Sequence, residues 1–477
     1  MLTHLDPASA LAIGLLVFTL AMVMMFEATN GFHDAANAVA TVIYTKSLQP
    51  TQAVVWSGIM NFAGVLLGGI AVAYALVELL PAEVLSPPDG GPAVGMLIAL
   101  LASALFWNLL TWWFALPNSS SHCLIGALIG VSVGNALAHS RDVGQGVHWH
   151  QLQTMLEGLA LSPLLGFLLA GGLYLLTRKS VHDPHLYEPV GSRPPVWWMR
   201  GILIFTCSAV SFAHGTNDGQ KSIGMIMLAI IGLFPATYAL NPEAGQVLAQ
   251  LAQNMQQAQP LIEKYGNDQK AQALQAAKFV QSQGAGVVRL ASLDASASVR
   301  DTGLGMRSDI ARRRSNLRDD IYRVISQLEH VQEAGGADKS AKKEAKDLVK
   351  KLGTTVEYAP WWVRVLSAVC LGLGTMIGYK RIVTTLGERL GKAHLTPAQG
   401  AAAEVVSAAV IGVSGFTGLP VSTTHIVTSG IGGTMVTSGA GLRYRMISRI
   451  LMAWLFTLPV TVLISAGIYF LLADPRF

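Results

Sequence analysis

Asn30-Gly31-Phe32-His33-Asp34-Ala35-Ala36-Asn37-Ala38 lies inside an otherwise apolar run and carries a carboxylate, an imidazole and two amides. Phe212-Ala213-His214-Gly215-Thr216-Asn217-Asp218-Gly219-Gln220-Lys221 has the same character and also sits between apolar runs. A charge at membrane depth costs at least about 2.5 kcal/mol, so side chains of this kind mark a pathway or a site. Two polar, glycine-bearing interruptions at corresponding places in two halves point to broken helices and to the substrate site of a secondary transporter.

The rest of the chain agrees with a membrane setting. Of its 477 residues 52% are hydrophobic and 13% charged, against about 25% charged in ordinary soluble domains. Mean hydropathy is +0.45, and several apolar runs exceed the ~20 residues that cross a bilayer. No cleavable leader is expected, because the first apolar run follows an acidic N-terminus and continues into the first motif. The net charge of +5 does not imply nucleic acid, since the basic excess sits in short loops beside apolar segments. Cys123, Cys207 and Cys370 all fall in apolar segments and read as small buried residues.

An internal repeat follows from the order of segments. Each half has a polar broken helix, two further spans, a turn, a short helix and a closing span. The turns are Pro117-Asn118-Ser119-Ser120-Ser121-His122 and Pro420-Val421-Ser422-Thr423-Thr424-His425. Five crossings per half make the halves inverted. The expected fold is an all-α polytopic membrane protein of two inverted repeats with broken or re-entrant helices, about 10–12 transmembrane segments in all, plus a soluble helical insertion. Residues 1–176 form the first repeat and 177–200 a basic cytoplasmic loop. Residues 201–240 form the first, broken helix of the second repeat, 241–358 the insertion, and 359–477 the remainder of that repeat. Within the insertion, Ile321, Val324, Ile325, Leu328 and Val331 recur at helical spacing. Placing Lys46, Arg178, Lys179, Arg193, Lys380, Arg381, Arg443 and Arg445 inside puts the N-terminus and the insertion outside. The acidic loop with Glu83 and Asp89 then falls outside as well.

The motifs suit an oxyanion. Ser and Thr hydroxyls donate without adding charge, and backbone N–H groups at a helix N-terminus donate along a favourable dipole. Ser119, Ser120, Ser121, Ser422, Thr423 and Thr424 each follow a proline and precede a helix, so they are candidate anion ligands; their plain alternative is helix capping. Asp34, Asn37, Asn217 and Asp218 offer oxygens to a hard cation or a coupled proton, or pin two helices together. His33, His122, His214 and His425 could donate, relay a proton or ligate a metal, or be satisfied polar residues. Glu27, close to the first motif, is a further candidate for proton coupling, and Glu404 could face a cavity.

These residues resemble the inorganic phosphate transporter (Pit) family, especially its bacterial low-affinity phosphate permeases. That family carries two Gly-Ala-Asn-Asp-Val-Ala-Asn-type signatures and two Pro-Val-Ser-Thr-Thr-His-type turns. Here the signatures read Gly31-Phe32-His33-Asp34-Ala35-Ala36-Asn37 and Gly215-Thr216-Asn217-Asp218-Gly219-Gln220-Lys221. The resemblance covers both membrane halves. It implies a homodimer in the bacterial cytoplasmic membrane that imports phosphate by symport, with arsenate as an analogue and no tightly bound cofactor. Phosphate is expected at the Ser/Thr turns with Asn37 and Asn217. Coupling is expected at Asp34 and Asp218, with Lys221, His33 and Glu27. A neutral phosphate complex of Mg2+, Ca2+ or Zn2+ would use Asp34 and Asp218 as metal contacts. The sequence departs from the sodium-type pattern at His33 and Lys221, where Asn is usual. An ammonium at Lys221 would repel a cation or occupy its place, which favours H+ over Na+.

The alternatives are a Na+-coupled phosphate symporter, a permease for another tetrahedral oxyanion such as sulfate, and an intramembrane Ser/His hydrolase. The last lacks a Gly-x-Ser-x-Gly elbow. No Gly-x4-Gly-Lys-[Ser/Thr] loop is present, so ATP drive is not expected.

Overall fold

The computed structural model describes residues 10–77, 94–140, 149–191, 194–283, 304–419 and 421–473. Glu83, Asp89, Arg193 and Pro420 lie outside the described residues. The chain divides into two compact units, one made chiefly of Ala229–Ala359 and the other of the remaining helices.

In the larger unit, α1 (Ala10–Tyr44, which enters this unit at Val17) is followed by α2 (Pro50–Leu67), α3 (Ala71–Val77), α4 (Val94–Trp113), α5 (Ser120–Ala138), α6 (Trp149–Ser180) and α7 (Trp197–Leu233, whose last turn joins the other unit). Six helices or helix segments among the described residues are long and apolar enough to cross a membrane: Ile13–Tyr44, Gly95–Trp113, Ser120–Ala138, Leu152–Ser180, Pro397–Thr417 and Tyr444–Ala473. A bent pair, Trp361–Thr375 with Lys380–Arg389, makes up to seven. Sequence reading expects about 10–12. The 18-residue α2 and the 37-residue α7 fall outside the set, α7 because its polar motif dilutes an otherwise apolar helix.

The expected breaks at the two polar motifs are not there. Helix α1 runs unbroken through Asn30–Asn37, and α7 through His214–Lys221. The backbone ladder survives because most of these side chains are satisfied by other side chains, laterally as in Asn30–Asp218 and Asn217–Ser414 or along the helix as in Asn37–Asp34, while Thr216 and Gln220 bond to backbone carbonyls of their own helix without interrupting it. The glycines serve close approach: a Cβ on Gly31 would lie 2.6 Å from Leu371 O, and one on Gly215 would lie 3.0 Å from Asn61 Cα. The 54° bend lies elsewhere, between Trp361–Thr375 and Lys380–Arg389, where Gly378 takes φ +71°. That left-handed conformation is the one glycine adopts without steric cost.

The smaller unit follows α7 with the single turn α8 (Pro235–Tyr238), α9 (Gly245–Ala249), α10 (Leu251–Tyr265), α11 (Lys270–Gln283), α12 (Leu304–Glu333) and α13 (Lys339–Val356). Ile321, Val324, Ile325, Leu328 and Val331 of α12 join Ala341, Ala345, Leu348 and Leu352 of α13 in one apolar core. Buried Arg318 ties its ends together by donating from Nη1 to Ala239 O (3.0 Å) and Val356 O (2.6 Å).

The larger unit resumes with α14 (Trp361–Thr375) and α15 (Lys380–Thr384), which continues into a π-helical turn over Thr385–Arg389. Then come α16 (Pro397–Thr417), α17 (Thr423–Ser438) and α18 (Tyr444–Ala473). The two short helices after the Ser/Thr turns pack reciprocally. Helix α5 of the first half lies along α18 of the second, and α17 of the second along α6 of the first. Small residues make this possible, as between membrane helices generally. A Cβ on Gly130 would lie 2.8 Å from Ser465 Cβ, and one on Gly166 would lie 2.6 Å from Ser429 Oγ.

The basic loops gather at one end. Lys46 Nζ donates to Gly191 O (2.7 Å), Arg200 to Ser47 O, and Tyr44 Oη to Glu388 Oε1 (2.9 Å). Lys392 N donates to Gly441 O, and Arg443 N to Leu390 O.

Candidate functional site

The reciprocal packing brings the N-termini of α5 and α17 together. Ser119 and Ser422 cap these helices, each accepting from the backbone N–H of the histidine three residues on (3.2 and 3.1 Å). Capping and site-building therefore divide the triplets between them. Ser121 Oγ donates to Val421 O (2.9 Å), tying one turn to the other. The His122 and His425 rings meet at 4.5 Å, and His425 stacks on Trp454 at 3.8 Å.

Each turn then reaches the carboxylate of the opposite half. Ser120 Oγ donates to Asp218 Oδ2 (3.2 Å). Its counterpart Thr423 donates to Asp34 Oδ2 (3.3 Å), and Thr424 donates to Asp34 Oδ1. Helix α1 adds two amides: Asn37 Nδ2 donates to Asp34 Oδ1 (2.9 Å), and Asn30 Nδ2 reaches across to Asp218 Oδ2 (3.3 Å). Lys221 Nζ lies 2.7 Å from Asp218 Oδ2, as the i,i+3 spacing on one helix face requires. Asp34, Asp218 and Lys221 are all buried.

His214 joins the two halves of this centre. Its Nε2 lies 3.4 Å from Asp34 Oδ2 and 3.5 Å from Asp218 Oδ2. Its Nδ1 lies 2.8 Å from Asn61 Oδ1. A chain of donors orients the ring. Thr375 Oγ1 donates to Leu371 O, so it accepts from Asn61 Nδ2 (3.1 Å), which turns Asn61 Oδ1 towards His214. Nδ1 therefore carries a hydrogen. A lone pair on Nε2 facing two carboxylates would be repelled, so a proton or a metal ion belongs at that nitrogen. Asp34, His214 and Asp218 each offer a ligand atom, all within 4.8 Å of one another. Two carboxylate oxygens and an imidazole nitrogen suit Zn2+ and related ions.

Four sequence candidates stand apart from this cluster. His33 Nε2 meets Thr111 Oγ1 (3.3 Å), and Asn217 Nδ2 donates to Ser414 Oγ (3.0 Å). Glu27 is buried beside the Ser222 hydroxyl, within electrostatic reach of Asp218, His214 and Lys221 but with no hydrogen bond to them. Glu404, also buried, accepts from Thr206 Oγ1. In the other direction, the geometry promotes His214, four residues before Asp218, and Asn61 on α2. The i,i+4 spacing was the available signal for His214. Asn61 gave none, being a lone amide in an apolar run.

Many apolar spans around a buried polar centre built from two halves define a membrane transporter. Family comparison makes that specific: the phosphate transporter family matches residues 30–199 and 187–465. The chain belongs to that family. It is 38% identical to the low-affinity inorganic phosphate transporter PitA of Escherichia coli (strain K12), over 96% of both chains. It is 37% identical to PitB of the same organism, again over 96% of both. A probable low-affinity inorganic phosphate transporter of Bacillus subtilis is 26% identical over 96% of this chain and 98% of its own. Among solved structures, the sodium-dependent phosphate transporter shares the fold, with a TM-score of 0.53 at 16% identity over 96% of this chain and 99% of that one. The chain is thus a multi-pass protein of the bacterial cytoplasmic membrane, and transport, not catalysis, is the activity named for its relatives.

Proposed function

We propose that this phosphate transporter works by secondary symport and that a proton held among Asp34, His214 and Asp218 is the coupling species. The observation that carries this reading is His214 Nε2, aimed between two buried carboxylates while Nδ1–H is committed to Asn61. With the proton in place, two carboxylates face an imidazolium and an ammonium, and the buried centre is neutral. Neutrality is what a low-dielectric site demands.

The same geometry links the proton to the anion. Ser120, Thr423 and Thr424 spend their hydroxyl hydrogens on Asp34 and Asp218. Phosphate needs those donors. Passing the His214 Nε2 proton to the adjacent carboxylate removes that carboxylate's claim on them, and the hydroxyls can turn to the anion. Proton uptake thus favours phosphate binding, and by reciprocity phosphate favours proton uptake. Lys221 fills the place beside Asp218 that a sodium ion would occupy, which supports H+ over Na+. Arsenate, with the same tetrahedral oxygens, would enter by the same route.

One observation favours a second reading. Asp34, His214 and Asp218 can also ligate a divalent ion, which would travel with phosphate as a neutral metal–phosphate cargo. Radiolabelled phosphate uptake in vesicles under an imposed pH gradient separates the readings. The proton reading expects accumulation without Na+ and without added metal. Dependence on Na+ would overturn it, and dependence on divalent metal would replace it with the metal–phosphate reading.

A further inference from the structure

At the end of the larger unit where the basic loops gather, a cavity of about 500 Å³ is lined by Trp113, Phe114, Ala115, Lys380, Arg381, Thr384 and Arg389. We propose that it binds the phosphate headgroup of an anionic phospholipid. It shares no residue with the buried centre that links proton and phosphate.

Three observations converge. The first is charge. Lys380, Arg381 and Arg389 are exposed, and no acidic side chain lines the cavity. The nearest acid in sequence, Glu388, accepts from Tyr44 instead. Basic pockets between membrane helices are sites for anionic headgroups, and the surface of an anionic leaflet supplies them.

The second is construction. Lys380 and Arg389 are nine residues apart, about two and a half turns of an α-helix, which would put them on opposite faces. They line one cavity because the helix widens into a π turn over Thr385–Arg389, with Leu390 N donating to Thr385 O (3.0 Å). Such turns are rare and recur at functional sites. The turn is pinned to the cavity wall, since Thr385 Oγ1 donates to Ala115 O (2.8 Å). Arg381 is also fixed. Its Nη1 donates to Trp113 O (2.8 Å), and its guanidinium stands 5.0 Å from the Trp112 ring and 4.8 Å from the Trp113 ring. It is held ready for an anion with little side-chain freedom left to lose.

The third is the apolar flank. Trp113 is the last residue of the spanning helix α4, and Trp113, Phe114 and Ile377 are 62%, 64% and 65% exposed. Aromatic residues at a helix end mark the headgroup level of a bilayer. A cluster of cations beside exposed apolar side chains fits a molecule that is anionic at one end and oily at the other. Free inorganic phosphate offers only the first of these.

The test is native mass spectrometry of the purified full chain, titrated with phosphatidylglycerol and, separately, with phosphatidylcholine of the same acyl chains. Lys380→Gln with Arg389→Gln is the informative variant, because Arg381 also holds the fold. Each cation near an anionic headgroup is worth about fivefold, so the double variant is expected to bind phosphatidylglycerol about 30-fold more weakly. Phosphatidylcholine binding should not change. Lys380→Arg with Arg389→Lys should restore phosphatidylglycerol binding. Equal retention by wild type and the double Gln variant overturns the proposal. So does displacement of the lipid by inorganic phosphate, which would make the cavity part of the aqueous route for the substrate.

Discussion

Replacing Lys221 by Asn separates proton from sodium coupling. Lys221 Nζ lies 2.7 Å from Asp218 Oδ2, with side chains 1% and 0% exposed. At an effective dielectric of about 20 the attraction at that distance is about 6 kcal/mol. Removing one partner of a buried pair leaves an uncompensated charge and costs about 3–5 kcal/mol. The carboxylate escapes the cost by taking a proton or another cation. About 3 kcal/mol corresponds to roughly a 100-fold change in a cation's binding constant. The amide introduced by Lys221→Asn would also give Asp218 the kind of neighbour that Asn37 is to Asp34. The substitution is therefore expected to cut proton-driven uptake by about tenfold or more, a loss of about 1.4 kcal/mol or more, and Na+ should recover part of it. The assay is initial-rate uptake of radiolabelled phosphate in vesicles, with a pH gradient imposed and Na+ present or absent. Uptake at the wild-type rate, driven by pH alone and indifferent to Na+, would show that Lys221 takes no part in selecting the coupling ion.

Asp34→Asn and Asp218→Asn keep shape but remove the titratable group, so each should abolish concentrative uptake while the protein still inserts; wild-type accumulation would reduce the carboxylates to structural roles. The three native cysteines are buried, so Ser340→Cys should react with an impermeant thiol reagent on intact cells; reaction only after the cells are opened would place the insertion inside. Burial raises Asp319 of α12 to about 7, so its contribution to stability is fully present below the ordinary carboxylate range and is lost as pH rises through about 7. Hydrogen exchange over Leu304–Glu333, corrected for intrinsic rates, should therefore speed up between about pH 5 and 8, and Asp319→Asn should reduce that trend, the remainder coming from Glu329 on the same helix, which burial also raises to about 7.

The sequence made much of this legible, because polar residues in apolar runs are few and costly. Asp34, Asp218 and Lys221 announced themselves that way, and the Ser/Thr triplets by being matched. Three features stayed hidden for a physical reason. Polarity and glycine in Asn30–Asn37 read as a break, yet a helix keeps its ladder when its polar side chains bond to other side chains, here on neighbouring helices and one turn along. The glycines there are contact surfaces for neighbouring helices. The partition of each triplet into a cap and an inward-facing donor was equally hidden, as was the orientation of His214 by Asn61 and Thr375. Both depend on contacts between residues up to 390 apart in sequence.

In the proposed coupling, one set of hydroxyls serves either the carboxylates or phosphate, so that proton and phosphate move together. The direct measurement is proton entry into phosphate-free proteoliposomes, followed with an internal pH indicator when phosphate is added outside at zero membrane potential. The external phosphate must be matched to the internal pH so that no gradient pre-exists. Internal acidification in step with phosphate entry, equal with and without Na+ and absent in Asp34→Asn, is the predicted result. Phosphate entry with no acidification beyond that of the Asp34→Asn vesicles, or acidification only when Na+ is supplied, would contradict it.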